Sequence, residues 1–366
     1  MKIVVIGTRG IPEIQGGVET HCQQLYPRLA AMGHDVTVIR RTPYVDGSRE
    51  MTEYKGVKLC DVYAPRRKSL EAIVHTALAV IKARALGPDI LHIHAVGPAL
   101  LTPFARLLGM KVVTTNHGPD YNRKKWGGMA RRVLKAGERM GAKFSNRVIV
   151  ISKTIAGILA DNYGRHDTDL IFNGVEKPVK STRTDYIESL GLVPSRYVVA
   201  VGRFVEEKGF HQLIEAWTKL NLSDYRLVIA GDADHPDEYS ERLCSMAREA
   251  GVVLPGFIKG EKLNQIFSHA ALFAMPSSHE GLPIALLEAM SYDLDVIVSD
   301  IDACMLPELN ADDHYPLEDT EALARAIERK LSNPRTPREH DLSAYNWDTI
   351  ARQTEEVYRR CVAANV

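Results

Sequence analysis

The sequence predicts an α/β chain built from two doubly wound parallel sheets and a C-terminal helix. Short β-branched runs alternate with helical patterns, which is typical of a parallel sheet covered by helices on both faces. A chain of 366 residues is too long for a single hydrophobic core. The alternation also restarts after a polar segment, residues 177–185. We therefore expect domains at 1–180 and 181–345, followed by a helix at 346–366.

The first half contains five apolar runs of strand length and a helical pattern from about Val18 to Met32. The predicted strands are Lys2–Ile6, Asp35–Arg40, Ile90–His94, Lys111–Thr115 and Arg147–Ile151. Each run is rich in Val and Ile, which pack well on a pleated surface.

The second half repeats the pattern with four more runs. Its predicted strands are Tyr197–Val201, Arg226–Ala230, Leu272–Met275 and Asp295–Ser299. A last helix is predicted from about Trp347 to Ala364, after a proline-containing stretch. It could pack on either domain, including back on the first.

Composition indicates an ordinary globular protein. Hydrophobic residues make up 45% of the chain and charged residues 25%. No apolar run reaches the roughly 18 residues that a membrane helix needs, and the chain opens with a strand instead of a signal peptide. The five scattered cysteines suggest neither a disulfide framework nor a zinc site. We expect a cytoplasmic protein, with peripheral contact at the inner face of the cell membrane as an option.

Charge is distributed unevenly along the chain. Residues 1–180 hold 28 Lys and Arg against 15 Asp and Glu, and the second half has the opposite excess. Between 106 and 147 there are eleven basic residues and two acidic ones. An ordinary solvated face is one interpretation of this patch, and the favoured one is that the patch binds an anionic partner such as a membrane surface or an anionic acceptor. It lacks the interleaved aromatic residues of a nucleic-acid surface, so we expect no nucleic acid as a partner.

Residues 280–288 read EGLPIALLE and predict the start of a helix beside two carboxylates. Pro283 suits the first helical position because its missing N–H costs nothing there. Glu280 then lies just before the helix and Glu288 within it. The unbonded N–H groups of the first turn and the positive end of the helix dipole would face an anion, for which a phosphate is the obvious candidate.

Loops after predicted strands supply further polar groups, and ligands of open α/β sheets bind outside the carboxyl ends of strands. The first strand is followed by a long loop that ends in Gly16-Gly17, where backbone amides can approach a phosphate or sugar closely. His117 stands at the end of a strand, and its imidazole could bond a sugar hydroxyl or stabilise developing positive charge. We interpret His92 and His94, on the preceding strand, as structural.

The first strand of the second half leads into a loop with two cations, Arg203 and Lys208. Two cations at a strand end can neutralise a pyrophosphate, Arg as a forked donor and Lys as a point charge. Taken alone, the two could equally be ordinary solvated charges. The next strand is followed by Asp232-Ala233-Asp234, which we interpret as a turn and not as a metal site, since no supporting carboxylates accompany it. We predict no metal and no cofactor.

Taken together and in order, these motifs resemble those of family 4 retaining glycosyltransferases. The motifs that carry the resemblance are Gly16-Gly17-Val18-Glu19, His117-Gly118, Asn173-Gly174-Val175, Gly202-Arg203 with Lys208-Gly209, and Glu280 with Glu288. The resemblance covers about residues 1–310. It implies the GT-B fold, in which two Rossmann-like domains face each other across a cleft, the first on the acceptor side and the second binding a nucleotide sugar.

The resemblance also implies roles for individual residues. Arg203 and Lys208 would bind the diphosphate of the donor, Glu288 the ribose hydroxyls and Glu280 a hydroxyl of the donor sugar. His117 would contact that sugar near its reacting carbon. The remaining donor contacts would come from Gly16, Gly17, Gly202, Gly256, Phe257, Ile258, Gly281, Leu282, Pro283 and Ile284.

Two turns depart from the family pattern. Gly231-Asp232 replaces a glycine-richer turn, and Ser299-Asp300 is followed by Ile301-Asp302-Ala303 where the family usually has Pro-Gly. Both would line one wall of the donor pocket.

The expected reaction is transfer of a sugar from a nucleoside diphosphate to a glycan or lipid-linked acceptor, for cell-surface polysaccharide or lipopolysaccharide synthesis. The main protein contribution would be stabilising charge on the departing diphosphate without a metal. A front-face path, with Glu280 positioning the sugar, is favoured over double displacement.

Other functions remain open at this point. A nucleotide-sugar 2-epimerase would share the architecture, and a peripheral membrane-binding protein would use the basic segment alone. In the enzyme interpretation that segment contacts an anionic membrane or the acceptor. Its members are Arg123, Lys124, Lys125, Arg131, Arg132, Lys135 and Arg139.

Overall fold

The computed structural model describes residues 1–45, 50–66, 71–119, 121, 127–220, 222–233, 236–333 and 338–364. Within them the chain forms two compact units. Unit 1 comprises Met1–Gly174 together with Ala344–Val366, and unit 2 comprises Val175–Ser343. No helix of the described residues is long and apolar enough to cross a membrane.

Thirteen strands are described. In chain order they are β1 Lys2–Ile6, β2 Asp35–Arg41, β3 Glu53–Tyr54, β4 Val57–Val62, β5 Ile90–His94, β6 Val112–Asn116, β7 Arg147–Val150, β8 Thr168–Leu170, β9 Tyr197–Val201, β10 Arg226–Ala230, β11 Leu272–Met275, β12 Val296–Ser299 and β13 His314–Tyr315.

Twelve α-helices are described between and after these strands. They are α1 Gly17–Ala31, α2 Glu71–Leu86, α3 Thr102–Leu107, α4 Gly128–Phe144, α5 Lys153–Tyr163, α6 Asp185–Ser189, α7 Phe210–Thr218, α8 Glu238–Glu249, α9 Glu261–Ser268, α10 Ile284–Ser291, α11 Thr320–Ser332 and α12 Trp347–Ala363.

Unit 1 is built on an eight-stranded sheet in the order β3-β4-β2-β1-β5-β6-β7-β8. Its strands pair in parallel, except that β3 runs antiparallel to β4. Successive residues of β1 face opposite sides. Ile3 therefore packs in a core with α1 and α12, and Val4 packs in a second core with α2. This is the predicted doubly wound sheet, with an added hairpin at one edge.

The C-terminal helix α12 packs on unit 1. Trp347 is only 3% exposed, and the Arg28 guanidinium of α1 donates to the Asp348 carboxylate at 2.9 Å. A Cβ placed on Gly174 would lie 2.5 Å from the Trp347 ring. The glycine of the Asn173-Gly174-Val175 motif therefore makes room for the indole.

Unit 2 has a five-stranded parallel sheet in the order β10-β9-β11-β12-β13. Residues such as Leu213 of α7, Leu243 of α8 and Ile327 of α11 form one core with the sheet. The four strands predicted for this half are present within one residue of their expected bounds, and α10 follows β11 as expected.

Candidate active site

The strand order of unit 2 creates a crevice at one point of the sheet. The chain enters at β9, continues to β10 on one side and later to β11 on the other. Loops leaving β9 and β11 therefore diverge around the switch point, which is where open α/β sheets bind ligands. The predicted cations follow β9, and the predicted Glu280 follows β11.

Close backbone contacts hold these loops together. Gly209 has φ +65°, and a Cβ on it would lie 2.1 Å from the Pro276 carbonyl oxygen. The Ser278 N–H donates to the Glu207 carbonyl at 2.8 Å. Gly231 has φ +151°, and a Cβ there would meet the Gly202 carbonyl at 1.7 Å. Only glycine allows the three loops to approach this closely.

The central contact of the site is an ion pair between Lys208 and Glu280. The Lys208 Nζ lies 2.6 Å from Glu280 Oε1, and the two side chains are 20% and 11% exposed. A Cβ on Gly202 would come within 3.4 Å of the Lys208 side chain, so its stem runs beside that glycine. Arg203 is half-buried in the same loop. The structure thus brings together two predicted residues that lie 72 positions apart.

Helix α10 begins one residue later than the sequence predicts. Pro283 precedes the helix as its N-cap with ψ 107°, and Ile284 is the first helical residue. The Pro283 carbonyl accepts the N–H groups of Leu286 and Leu287 at 3.1 and 3.3 Å. The prediction that Pro283 is the first helical residue is wrong, because Pro283 keeps an extended conformation. Pro283 has no N–H to donate. The first-turn donors that an anion could use are therefore the backbone N–H groups of Ile284 and Ala285.

Glu288 lies within α10, as predicted, and is half-buried. Its burial raises the pKa of the carboxyl to about 7, since desolvation disfavours the charged form. Such a group changes its charge near neutral pH, which is unusual for a glutamate and typical of functional sites.

Two further segments lie next to these loops. Cys304 is fully buried beside the ion pair: burial raises the pKa of its thiol, the Glu280 carboxylate adds to the rise and Lys208 opposes it. Cys304 directly follows residues 299–303, where the family pattern is broken. Gly256 accepts the Gly231 N–H at 2.9 Å. Phe257 is 45% exposed, whereas Ile258 is buried.

The glycine loop of unit 1 is ordered around Glu19. This buried carboxylate accepts the Arg9 N–H at 3.0 Å and the Thr8 hydroxyl at 3.3 Å. Gly16 has φ +147°, and a Cβ on it would meet Glu19 at 2.1 Å, whereas a Cβ on Gly17 would have open space. Gly17 is the first residue of α1, so backbone donors of a helix start are presented here.

His117 is part of a cluster of histidines in unit 1. Its Nε2 lies 2.9 Å from Nδ1 of His94, and its ring is 5.0 Å from that of His21. His92 stacks on His94 at 4.2 Å. Burial lowers the pKa of His21, His92 and His117 to about 3, so all three are neutral at pH 7. His21 was not a predicted site residue, because nothing in the sequence marks a histidine inside an amphipathic helix.

The basic segment is partly described. Three of its predicted members lie outside the described residues, namely Arg123, Lys124 and Lys125. On α4 the cations Arg131, Arg132, Lys135, Arg139 and Lys143 are all exposed. At about 100° per residue they span roughly a third of the helix circumference. We call these five residues the α4 stripe.

The Asp232-Ala233-Asp234 turn is also partly described, since Asp234 lies outside the described residues. Asp232 accepts the N–H of Ala233 at 2.7 Å, a local bond of the kind that aspartate makes in turns. All five cysteines are free thiols.

Family models and known proteins agree with this architecture. Residues 15–177 match the family described as Glycosyltransferase Family 4, and residues 182–347 match Glycosyl transferases group 1. The α-maltose-1-phosphate synthase of Mycobacterium tuberculosis is 28% identical, over 99% of this chain and 100% of that protein.

Two solved structures share the fold. Sucrose-phosphate synthase from Thermosynechococcus elongatus has a TM-score of 0.85 at 23% identity and covers 100% of both chains. Anabaena HepE, solved in complex with UDP-glucose, has a TM-score of 0.80 at 18% identity, over 98% of this chain and 100% of its own. From the motifs, the two sheets and these matches, the chain belongs to the family-4 type of glycosyltransferases, which have the GT-B fold.

Proposed function

We propose that this glycosyltransferase moves a sugar, with retention of configuration, from a nucleoside diphosphate to a glycan or lipid-linked acceptor in cell-surface polysaccharide synthesis. The observation that carries the proposal is the Lys208–Glu280 pair at the switch point of unit 2. A cation there can meet the diphosphate, and the carboxylate beside it can bond a sugar hydroxyl.

Stabilisation of the leaving group is the main task of the protein in this mechanism. As the sugar–phosphate bond breaks, negative charge grows on the diphosphate. In this proposal Arg203, Lys208 and the first-turn N–H groups of α10 are in position before the reaction begins, and such preorganised donors are usually the largest catalytic contribution. The transfer step then needs no metal. The leaving phosphate takes the proton of the acceptor hydroxyl as the new bond forms on the same face.

Glu280 acts as a sugar-positioning group in this proposal and not as the nucleophile. Its salt bridge to Lys208 holds the carboxylate in place beside the cation. Glu288 bonds the ribose hydroxyls, and His117 of unit 1 contacts the sugar near its reacting carbon.

Replacing either cation tests the proposal. Arg203→Ala or Lys208→Ala should lower turnover on the order of a hundredfold, as the loss of one preorganised donor does. Lys219→Ala is a matched control, because Lys219 is an exposed cation of unit 2 paired with Glu321 at 2.5 Å. Steady-state turnover is measured with the donor that a thermal-shift panel selects. HepE binds UDP-glucose, so UDP is the first nucleotide to test.

Near-normal turnover in the folded Arg203 and Lys208 variants would contradict the assignment. Product analysis with donor alone separates transfer from the epimerase alternative, since an epimerase would convert the sugar without an acceptor. A panel nucleotide present at 100 times its dissociation constant should add about 2.7 kcal/mol to the unfolding free energy.

We further propose that the α4 stripe docks on an anionic membrane beside a lipid-linked acceptor. Five exposed cations on one helix face support this, and each basic residue contributes about 1 kcal/mol at an anionic surface. Replacing Arg131, Arg132 and Lys135 by Gln should weaken binding to anionic vesicles on the order of a hundredfold, measured by co-sedimentation. The control replaces Arg242, Arg248 and Lys262 of unit 2 by Gln. Equal sedimentation on neutral and anionic vesicles would contradict the proposal.

A further inference from the structure

Three histidines of unit 1 converge although they come from different elements. His21 lies in α1, His94 ends β5 and His117 follows β6. Each offers one ring nitrogen, and the three nitrogens lie within 4.8 Å of one another. Since Nδ1 of His94 and Nε2 of His117 are 2.9 Å apart, a modest movement would place all three around a single ion.

The outward-facing nitrogens of two of these rings are held by other side chains. Asn173 Oδ1 lies 3.0 Å from Nδ1 of His21, so Nε2 is the nitrogen that His21 can offer. Tyr26 OH is hydrogen-bonded to Nε2 of His94, which leaves Nδ1 directed at His117. Metal-binding histidines are oriented in this way, by a partner on the nitrogen that does not bind the ion.

The chemistry of the group selects a class of ion. Imidazoles must be neutral to bind a metal, and burial keeps the pKa of His21 and His117 far below 7. Three nitrogen ligands without a carboxylate suit Zn²⁺ and similar transition metals, whereas Mg²⁺ and Ca²⁺ require oxygen ligands. His117 is half-buried and the other two are buried. A fourth ligand, such as water, could therefore approach from the side of His117.

We propose that His21, His94 and His117 form a three-histidine site for a divalent transition metal of the Zn²⁺ class. The proposed transfer step uses no metal, so this is an additional property of unit 1. A hydrogen-bonded stack of neutral imidazoles without metal affinity is the alternative that the experiment must exclude.

Zinc binding to the full, chelator-stripped protein tests the proposal directly. Competition with a chromophoric chelator at neutral pH should show one equivalent of tightly bound Zn²⁺. Asn173→Ala should weaken binding about 10- to 100-fold, as loss of an outer partner does, and His117→Ala should weaken it further. His166→Ala should bind as the unmodified protein does, because His166 is exposed and outside the cluster.

Cobalt substitution gives an independent readout. Co²⁺ in the site should show the visible absorption of a four-coordinate complex, and His117→Ala should abolish it. Because His117 is only half-buried, that variant tests the proposal even where replacing His94 prevents folding; thermal unfolding of metal-free protein confirms that each variant is folded. The proposal is overturned if the unmodified protein binds no Zn²⁺, or if His117→Ala and His166→Ala bind it equally.

Discussion

Glu288 shows how burial changes the chemistry of a single residue. Its position in α10 could be predicted from the sequence, but its pKa of about 7 comes from desolvation in the folded unit. An ionised carboxylate has two acceptor oxygens, which suits two adjacent hydroxyls of a ribose. In the proposed role, a nucleotide therefore binds the ionised form more tightly than the protonated form.

Nucleotide affinity should accordingly increase with pH. Between pH 6 and pH 8 the ionised fraction of a group with a pKa of about 7 rises roughly tenfold, so the apparent dissociation constant should fall by about that factor. Glu288→Gln should bind more weakly at pH 8 and show a much flatter pH dependence. Isothermal titration with the selected nucleotide at three pH values checks this. An equally steep profile in the Gln variant would assign the effect to another group.

At the scale of elements, loops after strands carry the site and glycines decide how closely they approach. Such loops were predicted from strand ends and from residues such as Gly202 and Lys208. The contacts between these loops were not predictable, because a single glycine in the sequence does not reveal which other loop its backbone will contact. The short edge strands β3, β8 and β13 were missed for a related reason: two or three residues are too few to show a period of two. Strand β4 was missed as well, although the glycine at position 56 is a sequence signal for a hairpin turn. In the structure Lys55 and Gly56 have φ values of 48° and 82° and form the turn between β3 and β4.

Gly209 and Gly164 provide a matched pair for testing whether the close approach of the Gly209 backbone to Pro276 matters for activity. Their φ values are +65° and +66°, so alanine is strained about equally at both sites, by about 1 kcal/mol or more. A Cβ on Gly209 would overlap the Pro276 carbonyl, whereas a Cβ on Gly164 would meet nothing within 4 Å. Gly209→Ala should shift the Lys208 loop and lower turnover by up to about a hundredfold. Gly164→Ala should keep normal turnover.

Turnover and thermal unfolding, measured on both variants, separate strain from displacement. Equal turnover in the two would show that the contact with Pro276 does not position Lys208.

At the scale of the whole molecule, both ends of the chain contribute to unit 1. Unit 2 lies between them in the sequence, and α12 supplies part of the unit 1 core. Contacts that fasten this helix include an ion pair of Arg360 with Asp169 at 2.7 Å and a hydrogen bond between His34 and Glu355 at 3.0 Å. The helix could be predicted from its periodicity, but its partner could not, because an apolar face does not specify which surface covers it.

Trp347→Ala should therefore destabilise unit 1 selectively. Removing a buried indole costs about 3–5 kcal/mol, and the ring fills the space left by Gly174. Amides of β1 and β5 should exchange with deuterium faster, while those of β9 and β11 keep their rates. Arg352→Ala, an exposed change on the same helix, should stay within about 0.5 kcal/mol of the unmodified protein. Faster exchange in both units alike would contradict the assignment of α12 to unit 1.

The sequence by itself determined the two sheets, most strand bounds, and the loops that carry the predicted cations and carboxylates. These properties depend on periodicity and on the order of residues along the chain, which are local. The tertiary structure decided which side chains meet: Lys208 with Glu280, and His21 with His94 and His117. Strand order and burial create these contacts, and both arise only when distant segments pack together.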